Sequence, residues 1–82
     1  MRISGEEIEK IISEKITAIT LKKNISPQHD LIEQGILTSV TIMELAVALE
    51  KEFGISFSFM EITRESFSSV LSIRAVLLKK LS

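Results

Sequence analysis

The side chains available for nucleophilic, acid–base or metal chemistry are few. The 82 residues contain no cysteine, one histidine, and neither tyrosine nor tryptophan. A serine nucleophile needs a base beside it, and the lone candidate is His29, whose neighbour Asp30 makes at most part of a dyad. No glycine-rich elbow surrounds any serine, so hydrolase chemistry is poorly supported. One histidine, no thiolate and no carboxylates in ligand spacing argue equally against a metal centre. What remains is Ser39. It is one of eleven serines, set apart because it stands at the expected start of a helix, after Gly35-Ile36-Leu37-Thr38. One role there is to cap the helix. Thr38 is equally able to do so, and neither residue is followed by Glu or Gln at the third position. The other role is to carry a phosphate ester, because the N–H groups and positive dipole end of a helix N-terminus favour an anion.

The elements that would position Ser39 follow from punctuation and periodicity. Ser4 and Glu7 stand in S-x-x-E spacing, a capping box flanked by Ile3 and Ile8 at the staple positions. Ile8, Ile11, Ile12, Ile16 and Ile19 continue at helical spacing, which predicts a first helix over about residues 4–21. From Lys22 to Thr38 the pattern stops, broken by Asn24, Pro27 and Gly35. A connection of that length in a small domain tends to be ordered or functional, and Leu31, Ile32, Ile36 and Leu37 can anchor it. A second helix is expected from Ser39 to Phe53, closed by Gly54. Ile55-Ser56-Phe57-Ser58-Phe59 alternates like a strand, but one strand makes no sheet, so it is expected to be an extended connector. A short helical turn is expected near 63–67. A last helix is expected at about 70–81, capped by Ser68 or Ser69, with Val70, Ile73, Leu77 and Leu81 on one face. The expected fold is a small all-α, four-helix bundle: three main helices, one short third helix and a long first loop, in one domain spanning 1–82.

The second helix carries two apolar faces. At about 100° per residue, Ile42, Leu45, Ala46, Leu49 and Phe53 share one arc, which is the expected core face. Val40, Met43 and Val47 fall on the far side among Glu44, Glu50 and Lys51. Packing into a bundle requires nothing apolar there. Either the loop or the short third helix covers this patch, or it is a docking face for partners, with methionine adapting to several of them.

Composition removes other classes. Ten basic against eleven acidic residues give a net charge of −1, with no basic excess for nucleic acid. Lys22-Lys23 and Lys79-Lys80 fall at expected helix ends, where they meet the negative end of the dipole. No apolar run approaches the ~20 residues of a membrane span, and no secretory signal opens the chain. A cytoplasmic monomer without nucleic-acid or metal partners is therefore expected.

The stretch Asp30-Leu31-Ile32-Glu33-Gln34-Gly35-Ile36-Leu37-Thr38-Ser39-Val40 resembles the acyl carrier protein family, whose signature is an Asp-Ser-Leu-type tripeptide at the start of the second helix. The likeness runs on through Met43 to Ile55, including the closing Glu-x-x-Phe-Gly-Ile run, and Ile62 to Val70 is similar to stand-alone carriers, D-alanyl carrier proteins among them. The resemblance implies that a phosphopantetheinyl transferase moves a 4'-phosphopantetheine arm from coenzyme A to Ser39, next to Thr38. The arm's thiol would carry acyl or aminoacyl groups between a ligase, synthase or transferase and its neighbours, so the chain itself is not expected to be an enzyme. By the same resemblance, Val40, Met43, Glu44, Val47 and Glu50 would contact those enzymes. Thr38 departs from the usual aspartate and Val40 from leucine. The loop also lacks the Gly-Gly-His-Ser or Gly-Gly-Asp-Ser motif of many peptidyl carriers. Fatty-acid or polyketide biosynthesis is the implied setting. The rival readings are an unmodified carrier, a helical adaptor using the Val40/Met43/Val47 face without a prosthetic group, and, third, a DNA-binding helix-turn-helix.

Overall fold

The computed structural model describes residues 4–81. Among them are three α-helices, α1 (Gly5–Thr20), α2 (Ser39–Phe53) and α3 (Val70–Leu81), one 3-10 turn (Phe59–Glu61) and no strand. The expected capping box starts α1: the Glu7 N–H donates to Ser4 Oγ at 3.1 Å and the Ser4 N–H to Glu7 Oε1 at 3.5 Å. The staple expected of Ile3 lies outside the described residues. Helix α1 stops at Leu21, which takes the left-handed conformation at φ 63°. Lys22 and Lys23 therefore lie beyond the helix rather than in its last turn, whereas Lys79 and Lys80 do occupy the last turn of α3.

The core is assembled from one stripe of each helix. Ile8, Ile12 and Ile16 of α1, Ile42, Leu45, Ala46 and Leu49 of α2, and Val70, Ile73 and Leu77 of α3 are buried. Leu31 and Leu37 of the loop and Phe57 and Phe67 of the second connection complete it. Phe53 corrects the expected core: it is only half-buried, packed on the margin at the last residue of α2.

The cross-links between helices fix their sense. Lys15 in the second half of α1 bridges Glu52 near the end of α2 at 3.0 Å. Arg74, early in α3, bridges Glu9, early in α1. Lys80, at the end of α3, bridges Glu61, just past α2, at 2.8 Å. Early meets early and late meets late, so the three helices run in the same general direction. Each connection must then travel back along the bundle, which explains why 22–38 and 54–69 are both long.

The first loop is ordered by its own hydrogen bonds and by ties to the start of α3. The Leu31 N–H donates to the Ser68 carbonyl at 2.7 Å, and the Leu71 N–H to the Pro27 carbonyl at 3.2 Å. Gly35, at φ 71°, lets the chain reverse so that the Ile36 and Leu37 N–H groups reach the Leu31 carbonyl at 2.8 and 2.9 Å.

The short helical turn expected near 63–67 is present as a single hydrogen-bonded turn that is not propagated into a longer third helix. The Phe67 N–H reaches the Thr63 carbonyl at 3.1 Å, the Ser66 N–H is taken by Thr63 Oγ1 at 3.0 Å, and Ser68 Oγ donates to the Glu65 carbonyl at 3.0 Å. Hydroxyl side chains here satisfy the backbone locally and compete with helix propagation. A further turn, of 3-10 type, precedes it at Phe59–Glu61, where the Ser58 N–H donates to Glu61 Oε1 at 2.7 Å. The connector is extended only through 55–58.

Candidate functional site

The start of α2 is built by two threonines. Thr38 is the N-cap: its Oγ1 accepts the Thr41 N–H at 3.3 Å, and the Thr38 N–H donates to Thr41 Oγ1 at 2.7 Å. This is a capping box in which a hydroxyl stands where Glu or Gln usually does. The usual Glu or Gln signal of a capping box is absent here, although T-x-x-T shares the spacing of Ser4-x-x-Glu7. Because Thr38 takes the cap, Ser39 is released from that role. It is the first residue inside the helix and is exposed.

The local electrostatics suit an anion at Ser39. The first turn of α2 contains no carboxylate, whereas that of α1 contains Glu6 and Glu7. The partial positive charge of the α2 N-terminus is therefore not offset by a carboxylate of its own first turn. Other serines at helix starts are differently placed. Ser4 Oγ is engaged in its own capping box. Ser69 is half-buried, and its Oγ accepts the Ser72 N–H at 3.1 Å.

The far face of α2 is open to solvent. Val40 is 66%, Met43 51% and Val47 46% exposed, so neither the loop nor the second connection covers them. Glu44 is exposed beside them. Glu50 is not equivalent: it is half-buried, and its Oε2 accepts the Phe57 N–H at 2.7 Å. The Glu50 carbonyl also receives the Gly54 and Ile55 N–H groups, so this residue ties the connector to α2. The structure thus brings Thr38, Ser39, Val40, Met43, Glu44 and Val47 onto one accessible region and places Glu50 at its margin with a structural task.

His29 and Asp30 form no dyad. His29 Nδ1 accepts the Ser26 N–H at 2.8 Å, and Asp30 Oδ1 accepts the Glu33 N–H at 2.9 Å, each side chain bracing its own turn. Among the described residues no cluster of His, Asp or Glu could hold a metal ion, and no helix is long and apolar enough to cross a membrane.

The arrangement is an exposed hydroxyl on a rigid, neutral helix start beside an apolar face: a place to attach a group and present it. A family model described as the phosphopantetheine attachment site matches residues 6–77. No curated protein matches the chain. The match covers all three helices and both connections apart from their outermost ends, and the chain belongs to the phosphopantetheine attachment-site family, whose carrier domains hold 4'-phosphopantetheine covalently.

Proposed function

We propose that the 1–82 chain acts as a single monomeric carrier domain whose 4'-phosphopantetheine is attached to Ser39. The observation that carries this reading is the transfer of the cap to Thr38, which leaves Ser39 exposed at the first helical position with no carboxylate in its turn. The Ser39 oxygen, losing its proton, would bond to the pantetheine-side phosphorus of coenzyme A as the pyrophosphate P–O bond breaks and adenosine 3',5'-bisphosphate leaves, and the resulting phosphodiester would lie at the positive end of α2. When bound, the arm supplies a terminal thiol that holds cargo as a thioester. The chain's own residues hold the attachment point rigid and offer Val40, Met43 and Val47, rimmed by Glu44, to the transferase and to acyl-activating and acyl-using enzymes. Both apolar packing and an acidic rim favour a partner with a basic, apolar cleft.

The cargo is proposed to be acyl or D-alanyl rather than peptidyl, because the loop lacks the peptidyl-carrier motif. Fatty-acid or polyketide synthesis in the cytoplasm is the setting, and the chain performs no catalysis itself. The same face would serve an adaptor without a prosthetic group. Intact mass after incubation with coenzyme A and a broad-specificity phosphopantetheinyl transferase separates the two. A gain of one phosphopantetheine that disappears in Ser39→Ala supports the carrier and its site. No gain with several transferases supports the adaptor, and a gain that survives Ser39→Ala moves the site elsewhere.

A further inference from the structure

The end of the bundle opposite Ser39 carries two of the most exposed large apolar side chains among the described residues. Phe59 is 94% and Met60 85% exposed, adjacent on the 3-10 turn. The turn is braced from beneath. Glu61 Oε1 takes the Ser58 N–H and bridges Lys80, the Lys80 ammonium lies 5.6 Å from the centre of the Phe57 ring, and Phe57 packs edge-on against Phe67 at 5.7 Å. The tip is held in place, not loosely draped. Leu21, 82% exposed at the end of α1, lies at the same end.

The charges divide along the same axis. Six of the seven lysines, Lys15, Lys22, Lys23, Lys51, Lys79 and Lys80, fall in the half away from Ser39; the seventh is Lys10. The acids of that half are Glu14, Glu50, Glu52 and Glu61, two of them already bridged to Lys15 and Lys80 and a third bonded to the Phe57 N–H. The half around Ser39 holds the other seven acids against Lys10, Arg64 and Arg74 among the described residues. The chain is close to neutral as a whole but polarised end to end.

We infer that this distal end docks on an anionic lipid surface, with Phe59 and Met60 entering the headgroup boundary and Lys22 and Lys23, beside exposed Leu21, facing the phosphates. Two protruding side chains are far smaller than the roughly 800 Å² per partner of a stable protein interface. They suffice for shallow, reversible entry when electrostatics assist. Each lysine near an anionic surface adds about a five-fold gain in partitioning, and the effect fades over a Debye length. Helix α2 spans roughly 21 Å from Ser39 to Phe53, so the docked bundle would hold Ser39 and the Val40/Met43/Val47 face away from the lipid. A carrier so seated meets partner enzymes with its attachment end unobstructed. The inference does not depend on whether Ser39 is modified.

The test is sedimentation of the full chain with vesicles of phosphatidylcholine alone and with equal parts of phosphatidylglycerol, at low and high salt. Binding should appear only with the anionic lipid and fall as salt rises. Phe59→Ser with Met60→Ser should lower it at least ten-fold while leaving the helical circular dichroism unchanged, since both side chains are exposed. Lys22→Gln with Lys23→Gln should lower it about twenty-five-fold at low salt. No binding to anionic vesicles at low salt, or binding indifferent to the Phe59 and Met60 changes, overturns the inference. So does a lipid-independent dimer abolished by the same two changes, which would make the tip a protein contact.

Discussion

The two faces of α2 can be told apart by two substitutions two residues apart. Leu45 has no exposed surface. Leu45→Ala deletes three carbons from it, and at about 0.8 kcal/mol per carbon the lost transfer energy is about 2.4 kcal/mol. A void that half collapses to ~40 Å³ adds about 1 kcal/mol at the measured cavity coefficient. The expected cost is therefore about 3–4 kcal/mol, against a total stability of about 4–12 kcal/mol for a chain of this length. Thermal unfolding followed by circular dichroism should show a fall in Tm of roughly 12–30 °C. Val47 is 46% exposed on the opposite face. A glutamate there stands four residues before Lys51, a favourable pairing, and three from both Glu44 and Glu50, unfavourable ones, which leaves a net cost of only a few tenths of a kcal/mol. Val47→Glu should thus leave stability within about 0.5 kcal/mol but slow modification by the transferase at least ten-fold. Equal loss of Tm in both variants would mean the faces are wrongly assigned. An unchanged modification rate in Val47→Glu would remove the docking role from this face.

Further predictions test the supports of the site. Thr38→Asp should keep the cap and hold stability within about 0.5 kcal/mol, while speeding modification by a transferase that prefers Asp-Ser, most strongly at low salt; thermal melts and intact-mass time courses read both effects. Gly54 sits at φ 65° with nothing within 4 Å of an added Cβ, so Gly54→Ala should cost about 1 kcal/mol from backbone strain alone. Leu21→Gly makes the reverse change at φ 63° and should show no such loss in parallel denaturant titrations. The Glu61 carboxyl is held below its ordinary range, chiefly by the hydrogen bond from Lys80 and then by the Ser58 N–H. Its folded pKa being lowered, this contribution is present above the ordinary carboxylate pKa and is lost as pH falls through the folded value. Lys80→Met should move the Glu61 titration upward in carboxyl NMR shifts and weaken that acid-side dependence.

Much of this architecture is legible in single residues because the signals are local. The Ser4-x-x-Glu7 box, the isoleucine spacing and Gly54 mark α1 and the end of α2 without reference to anything distant. The 3-10 turn carries the same local signal, Ser58-x-x-Glu61, but strand-like alternation from Ile55 to Phe59 masks it. The alternation is honoured at buried Phe57 and broken at Phe59, where the turn rotates the side chain outward. Residues 63–67 read as one helical turn because Thr63 and Ser66 are good initiators, and one turn forms; three hydroxyls bond within it and it is not propagated. Glu50 shows the limit of a helical wheel. Its angle places it beside Met43, yet its carboxylate is drawn to the Phe57 N–H, a partner seven residues on that only the folded connector supplies.

The neutral cap at Thr38 has a physical logic of its own. An aspartate in that position would satisfy the Thr41 N–H equally well, since both residue types cap. It would also place a full negative charge one residue from the proposed phosphodiester. At about 6 Å in water-like dielectric that repulsion is about 0.7 kcal/mol, similar in size to what a helix N-terminus contributes to an exposed anion. Thr38 and Thr41 close the same hydrogen bonds with hydroxyls and leave the dipole's full benefit to whatever Ser39 carries. What is given up is a charged handle for an approaching enzyme, and on the proposed reading the burden of recognition would shift to Val40, Met43 and Val47, which are all exposed, and to Glu44 beside them. Recognition by apolar contact depends on dissociation rate more than on steering, so docking at this face should depend less on salt than docking through an Asp-Ser pair.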